Sequence, residues 1–305
     1  MPLNVPGILV PLQLLVKPRI IVPALCVKDI RHLDFHALKR AGYRGAIFDK
    51  DNCLTLPGKD TLVPEIEAAW KECRQVFGAD HILVVSNSAG TSLDAGGIQG
   101  ESVRHHLGVP VLFHTSMKPA YSCVKQIQSF FRSIHVKDHE LIVVGDRLFT
   151  DIVLAARIRE ESWKERFGSR PVASLSMNTT QTSDISLPLQ NTLGIWTTGV
   201  WVKEATFMRF CERKVLEAVK KWVITPAKAR ANGKEKASIP GSEVDTEQSP
   251  QRALMEDSKS SEADEEEAFK RAFVRQIPSP PPPQKKSILR NIIGFVQNVQ
   301  FRRGT

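Results

Sequence analysis

The chain has 305 residues, 42% of them hydrophobic, with 42 Lys and Arg against 33 Asp and Glu for a formal net charge of +9. That length and apolar content suit one sizeable core and exclude a wholly disordered chain. The five cysteines, at 26, 53, 73, 123 and 211, are odd in number and lack CxxC spacing, which argues against a disulfide framework or a zinc site.

Met1 to Val27 contains no acid and carries repeated apolar clusters, Ile8-Leu9-Val10, Leu12, Leu14-Leu15-Val16 and Ile20-Ile21-Val22. Lys17, Arg19 and the prolines at 6, 11, 18 and 23 interrupt it, so it is too broken for the twenty or so continuous apolar residues of a spanning helix. It also lacks the small-residue cleavage site of a secretory signal. Two readings stay open: a segment lying in a membrane interface, or a hydrophobic strap packed on the domain.

The run Gly45-Ala46-Ile47-Phe48 reads as a buried strand ending in Asp49-Lys50-Asp51. Alternation along an extended chain lets Asp49 and Asp51 leave its end on one side. Carboxylates so close are tolerated when a cation lies between them or one keeps its proton. A cation-bound carboxylate beside a proton-carrying one suits nucleophilic phosphoryl transfer. A helix follows over Val63–Phe77, with Pro64 suited to its first turn.

His81–Val85 reads as a second strand, ending in Ser86-Asn87-Ser88. A third, Val109–Phe113, precedes Lys118-Pro119 and a helix over Ala120–Phe131. A fourth, Leu141–Val144, runs into Gly145-Asp146-Arg147-Leu148-Phe149-Thr150-Asp151. Polar groups gathered at the C-terminal ends of parallel strands mark the ligand edge of an open α/β sheet.

The order acid pair, hydroxyl, lysine, acid pair resembles the haloacid dehalogenase (HAD) superfamily of phosphatases. More narrowly, Phe48–Leu54, Val85–Gly90, His114–Pro119, Val144–Ile152 and Gly194-Ile195-Trp196 resemble the mitochondrial phosphatidylglycerophosphate phosphatases of fungi. The resemblance covers roughly residues 2–201 and implies an α/β, capless HAD-type Rossmann-like domain, with a mainly parallel sheet flanked by helices.

The resemblance also implies roles. Asp49 is the expected nucleophile, forming an aspartyl-phosphate. Asp51 is the expected general acid and base. Ser86 and the Asn87 amide are expected to bind the phosphoryl oxygens, and Lys118 to neutralise phosphate and carboxylate charge. Asp49, Asp146 and the backbone carbonyl of Asp51 are the expected Mg²⁺ ligands. Asp151 stands either as a metal partner or as a helix N-terminal acid favoured by the macrodipole. Cys53 reads as a small buried hydrophobe, and Thr55 as orienting Asp51 or serving a turn.

Only about thirty residues separate Asp51 from Ser86, and a similar number separate Asn87 from Lys118, which leaves no room for a folded cap. An open site admits a surface-held phosphate without requiring one. Residues 46–199 are near neutral, with fifteen Lys and Arg against seventeen acids, whereas the flanks carry the surplus: seven against two in 1–45 and twenty against fourteen in 200–305. Basic flanks beside apolar clusters favour an anionic membrane over nucleic acid, for which no module is present.

The expected organisation is a membrane-facing segment over 1–44, a phosphatase domain over 45–224 with an insertion at about 159–190, a disordered linker over 225–284 and a basic amphipathic tail over 285–305. The expected activity is Mg²⁺-dependent dephosphorylation of phosphatidylglycerophosphate. By resemblance it is peripheral on the matrix side of the mitochondrial inner membrane. A phosphatase of soluble or protein substrates, or a non-catalytic scaffold, are the alternatives; the oligomeric state is not readable.

Overall fold

Short, wholly apolar runs can bury both faces of a strand, and here they pair as one parallel sheet. The computed structural model describes residues 4–167, 191–221 and 267–277. The strands are β1 (Leu25–Val27), β2 (Gly45–Phe48), β3 (Ile82–Val84), β4 (Leu141–Gly145) and β5 (Leu193–Thr197), in the order β1-β5-β4-β2-β3. Every pairing is parallel. Every residue of β2, β3 and β4 is buried, as in sheets covered by helices on both sides. Phe48 registers with both Val84 and Val144, and Gly145 with Trp196, so four strands end level.

The helices are α1 (Val5–Ile8), α2 (Val10–Leu14), α3 (Phe35–Arg40), α4 (Glu67–Phe77), α5 (Ile98–Leu107), α6 (Tyr121–Ser133), α7 (Val153–Phe167) and α8 (Thr206–Val219). Strand alternation divides the core between them. Ala46, Phe48, Ile142 and Val144 pack with residues of α3, α4 and α5. Ile47, Leu83 and Val143 pack with Ile127 and Phe131 of α6 and Leu154 of α7. Full burial of each such side chain stabilises by about 1.5–3 kcal/mol.

Helix α4 shows how local sequence places these layers. Pro64 opens a 3-10 turn, Pro64–Ile66, that leads into the helix. Ala69, Trp70, Cys73 and Phe77 form its buried stripe, and Gly78 ends it at φ +89°. Trp70 packs edge-on to Phe48, ring centroids 5.2 Å apart, and its indole N–H donates to the Leu107 carbonyl at 3.0 Å. The residue just before Asp49 is thereby locked in place.

A third cluster lies beside the C-terminal ends of the strands. Val10, Leu14 and Ile21 from the N-terminal segment meet Leu148, Phe149, Ile152 and Val153, with Leu216 and Val219 of α8. The segment is therefore a packed strap, as one of the two open readings has it. Its outer face leaves Ile8, Leu9, Leu12, Leu15 and Val16 exposed. No helix among the described residues is long and apolar enough to cross a membrane.

Three expectations differ from the structure. Residues 109–113 form no strand: Val111 makes one isolated bridge to Val84, held by Val84 N–H to Pro110 O and Leu112 N–H to Val84 O, both at 2.9 Å. Pro110 has no N–H, and the chain then turns to bridge Thr91 through His114, so the ladder stops. The sheet also takes a strand, β1, from before residue 45, and α3 packs in the same core.

The stretch expected as linker includes a helix over 267–273 whose Phe273 is buried. The Phe273 carbonyl accepts from Asp34 N–H at 2.9 Å, and Arg275 reaches Glu72 at 2.7 and 2.5 Å. Composition averaged over an acidic window hid this short apolar face. The first residues of the expected insertion continue α7. Its remainder (168–190) and the expected tail (285–305) lie outside the described residues.

Candidate active site

Because β2 and β4 are adjacent and end in register, the residues that follow them meet. Asp49 N–H donates to the Val144 carbonyl at 2.9 Å, continuing the ladder one step, and Asp146 follows Gly145 on the neighbouring strand. Carboxylate oxygens of Asp49, Asp146 and Asp151 all lie within 4.8 Å of one another. Asp146 and Asp151 are buried, whereas the Asp49 side chain keeps 11% exposure at the open edge.

Asp151 comes close because Gly145 has no side chain. A Cβ on Gly145 would stand 2.4 Å from the Asp151 carboxyl carbon, an overlap no other residue avoids. Asp151 sits in a π-helical turn, Leu148–Ile152, and its Oδ2 accepts from Arg147 N–H at 3.1 Å. Its Oδ1 accepts from Lys118 Nζ at 2.8 Å. Asp151 thus lies in the first turn of that helical element and also within reach of the other two acids.

Lys118 ties the cluster together. Its Nζ also donates to Asp49 Oδ1 at 2.5 Å, and the lysine is 2% exposed. Asn87 clamps its backbone: Oδ1 accepts from Lys118 N–H at 2.6 Å and Nδ2 donates to the Lys118 carbonyl at 3.3 Å. Asn4, from the strap, donates to that same carbonyl at 2.8 Å. Ser86 is fully buried, its Oγ accepting from Ser88 N–H at 3.1 Å, and its carbonyl faces His114 Nε2 at 2.9 Å.

Asp51 faces a different set of groups. Oδ1 accepts from Lys50 Nζ at 2.7 Å and Gly58 N–H at 3.0 Å, and Oδ2 from Ser88 Oγ at 2.8 Å. Asp51 therefore stays outside the three-carboxylate cluster, held at its rim. Thr55 serves the turn, its N–H donating to the Lys50 carbonyl at 2.9 Å. Cys53 is a buried thiol, and burial with the nearby Asp49, Asp146 and Asp151 charges pushes its pKa well up, so it stays protonated.

The electrostatics follow from this crowding. Desolvation, then the Asp151, Asp146 and Asp51 charges, raise the Asp49 pKa well above the carboxylate range, against the pull of Lys118. Burial and Asp151 raise that of Asp146, against Arg209. Burial opposes the charge on Lys118, but Asp151 and Asp49 outweigh it and hold the ammonium protonated. Like charges about 4 Å apart repel by about 4 kcal/mol near a protein surface. Lys118 and Arg209 are the two cations paired with these three acids, so ionising all three together leaves one surplus negative charge, which is why burial and repulsion raise the pKa values of Asp49 and Asp146. An all-oxygen set with that surplus suits a hard divalent cation.

Four neighbours are absent from the sequence reading. Lys50, between the two aspartates, is fully buried and holds Asp51. Ser88 also donates to Asp51. Arg209 of α8 pairs with the Asp146 carboxylate and donates to the Asp146 carbonyl at 3.4 Å. Glu212, one turn on, is buried and accepts from Arg147 Nε at 3.1 Å. The only sequence signal for Arg209 and Glu212 is their i, i+3 spacing on an amphipathic helix.

A family model described as mitochondrial PGP phosphatase matches residues 5–163. Over 157 residues the chain is 39% identical to the phosphatidylglycerophosphate phosphatase 1, chloroplastic/mitochondrial, of Arabidopsis thaliana, covering 51% of this chain and 44% of that protein. Against the chloroplastic enzyme of that name from Chlamydomonas reinhardtii the identity is 39%, over 45% of this chain and 49% of that one. The chain thus spans about half the length of these two relatives. The mitochondrial phosphatidylglycerophosphatase of Saccharomyces cerevisiae is 33% identical over 50% of this chain and 82% of its own length. No solved structure matches the chain. All of the sequence-predicted site residues lie within the matched segment, and α8 lies beyond it.

Proposed function

Because the chain belongs to the mitochondrial PGP phosphatase family, we propose that it is a magnesium-dependent phosphomonoesterase that converts phosphatidylglycerophosphate to phosphatidylglycerol. It works at a mitochondrial membrane surface, on the matrix side of the inner membrane, on the route to cardiolipin. The observation that carries the chemistry is the meeting of Asp49, Asp146, Asp151 and Lys118 at the level ends of β2 and β4. The activity named for the relatives supports the substrate.

The residues divide the work by position. Asp49 is the least enclosed of the three clustered carboxylates, and its free oxygen attacks phosphorus, forming an aspartyl-phosphate as the glycerol oxygen departs. Asp51, at the rim, donates a proton to that alkoxide and then takes one from the water that attacks the intermediate. Ser88 and Lys50 aim its carboxyl group. Ser86 and the Asn87 amide hold phosphoryl oxygens, and Lys118 neutralises charge that grows as the phosphorus–oxygen bond breaks. Asn87 keeps Lys118 in place.

Asp49, Asp146 and Asp151, with the backbone carbonyl of Asp51, are the groups that would hold Mg²⁺; when bound, the ion supplies Lewis-acid stabilisation of phosphoryl charge. Between Asp51 and β3 the chain forms only turns and α4, with no folded cap, which supports a cleft open to a phosphate held in a membrane.

The test is phosphate release from phosphatidylglycerophosphate in anionic vesicles with Mg²⁺, for wild type and Asp49→Asn, beside a panel of soluble phosphate esters. Fast lipid turnover abolished by the substitution is the expected result. Turnover of soluble esters alone would sink the lipid assignment, and activity untouched by Asp49→Asn would sink the mechanism.

A further inference from the structure

A cavity of about 260 Å³ lies between the strap and α8, beside the carboxylate cluster. Its apolar walls are Ile8, Pro11, Phe149 and Met208. Arg147 and Thr150 complete its lining on the site side. Arg147 directly follows Asp146 and Thr150 directly precedes Asp151, so the inner wall is built from the chain neighbours of two clustered carboxylates. Asn4, which also lines it, donates to the carbonyl of Lys118. The cavity and the site therefore share one wall and one strap.

The two sides of the site differ in chemistry. On the Asp51 side the neighbours are polar: Lys50, the Gly58 amide and Asp60, whose Oδ1 is 4.0 Å from Lys50 Nζ. On the strap side the outer surface is apolar, with Ile8 49%, Leu9 52%, Leu12 64% and Phe207 77% exposed. Ile8 and Met208 both line the cavity and are exposed, so its apolar wall reaches the surface, as at a site that apolar ligand covers. Helix α8 exposes Phe207 because its other face is committed: Glu212 is pinned by Arg147, and Leu216 and Val219 are buried.

We infer that this cavity is the seat for the apolar end of the substrate, the first methylenes of one acyl chain of the lipid whose phosphate lies at Asp49. The inference rests on the proposed phosphatase activity. Pockets for whole drug-sized ligands run to about 300–1,000 Å³, so the cavity takes a stretch of one chain while the remainder stays in the bilayer. A glycerol and a phosphodiester separate the scissile phosphate from the acyl chains, and they cross the short interval between the cluster and the cavity. The seat gives the enzyme a means of preferring a lipid over a water-soluble ester with the same phosphate, because each methylene it takes from water adds to binding.

The experiment compares kcat/KM for long-chain phosphatidylglycerophosphate in neutral detergent micelles with that for its deacylated form, which keeps the same monoester. Neutral micelles remove attraction to an anionic surface. Met208→Trp fills the cavity, Ile8→Asp places a charge in its wall, and Met208→Leu is the conservative control; thermal melts check folding. Wild type should prefer the lipid at least tenfold. Both disruptive variants should lower that preference at least fivefold, through KM for the lipid, and Met208→Leu should keep it. An unchanged preference in well-folded Met208→Trp and Ile8→Asp would overturn the seat, as would equal wild-type rates on the two esters. Failure of the phosphatase reading itself would look different: wild type would release phosphate from neither ester.

Discussion

Lys118 Nζ lies 2.5 Å from Asp49 Oδ1, joining the end of β2 to a loop sixty-nine residues later. The same ammonium bonds Asp151 at 2.8 Å, so a single cation holds two of the three clustered carboxylates. Lys118→Met leaves both without their cationic partner, Asp151 keeping only the Arg147 N–H. Breaking a buried pair by removing one member costs about 3–5 kcal/mol, and losing a charge-stabilising donor lowers kcat by about 10²–10³-fold. The expected outcome is a lower melting temperature together with that loss; a variant as stable as wild type would show that the pairing contributes little to the fold.

Asp51 is expected to matter in proportion to how poorly the leaving group departs unaided. Asp51→Asn should slow hydrolysis of an alkyl phosphate by about 10²–10⁴-fold, the usual worth of a positioned acid and base. An aryl phosphate, which leaves without a proton, should lose less in the phosphorylation step. Ser88→Ala, which removes the 2.8 Å bond to Asp51, should act in the same direction and more weakly. Single-turnover rates on the two esters check both, and equal losses on them would remove Asp51 from the acid role.

The surplus negative charge of the cluster predicts stabilisation by Mg²⁺ without any substrate. A ligand that binds only the folded chain adds about 2.7 kcal/mol at a hundred times its dissociation constant. Melting temperature should therefore climb with Mg²⁺ and fall on chelation in wild type, and respond weakly in Asp146→Asn. A wild-type melt indifferent to Mg²⁺ would count against the three-carboxylate site.

Glu212 anchors α8 to the catalytic loop. It accepts from Arg147 Nε and lies near the Leu148 and Phe149 N–H groups at 3.4 and 3.5 Å. Glu212→Ala should cost about 3–5 kcal/mol by leaving Arg147 unpaired. Activity should fall with it, because Arg209 rides on the same helix beside Asp146. Thermal melts and steady-state rates, with Arg147→Met/Glu212→Leu as an apolar replacement pair, separate the structural part: the pair should recover more stability than activity.

The helix over 267–273 should be part of the folded unit. Phe273→Ala removes a ring that is 2% exposed and should cost about 3–5 kcal/mol. Its Arg275 contact adds a pH dependence. Hydrogen bonding to Arg275 lowers the Glu72 pKa below its ordinary value of 4.5, so the contribution is present above that value and fades as pH falls through the folded one. The stability gap between wild type and Arg275→Ala should be larger at about pH 7 than at about pH 3.5; a constant gap would mean the contact carries no charge-dependent part.

The catalytic edge was legible in the sequence because its elements are chain-local. Apolar runs such as Gly45–Phe48 and Leu141–Gly145 admit few conformations, and a polar residue directly after each one can only lie at a strand end. Asp49, Asp51, Ser86 and Asp146 could be placed at strand ends on that ground, together with the α/β class, whereas Lys118 follows an expected third strand that does not form. What the tertiary structure decided depends on pairings between distant segments. β1 is three residues long and is a strand because β5 offers it an edge. The helix over 267–273 is masked by acidic composition and held by Phe273 against a distant core. Whether Asp151 joins the cluster turned on the space above Gly145, and Arg209 reaches Asp146 only because Glu212 is buried against Arg147. Local pattern fixes which residues end a strand; long-range packing chooses which other side chains meet them there.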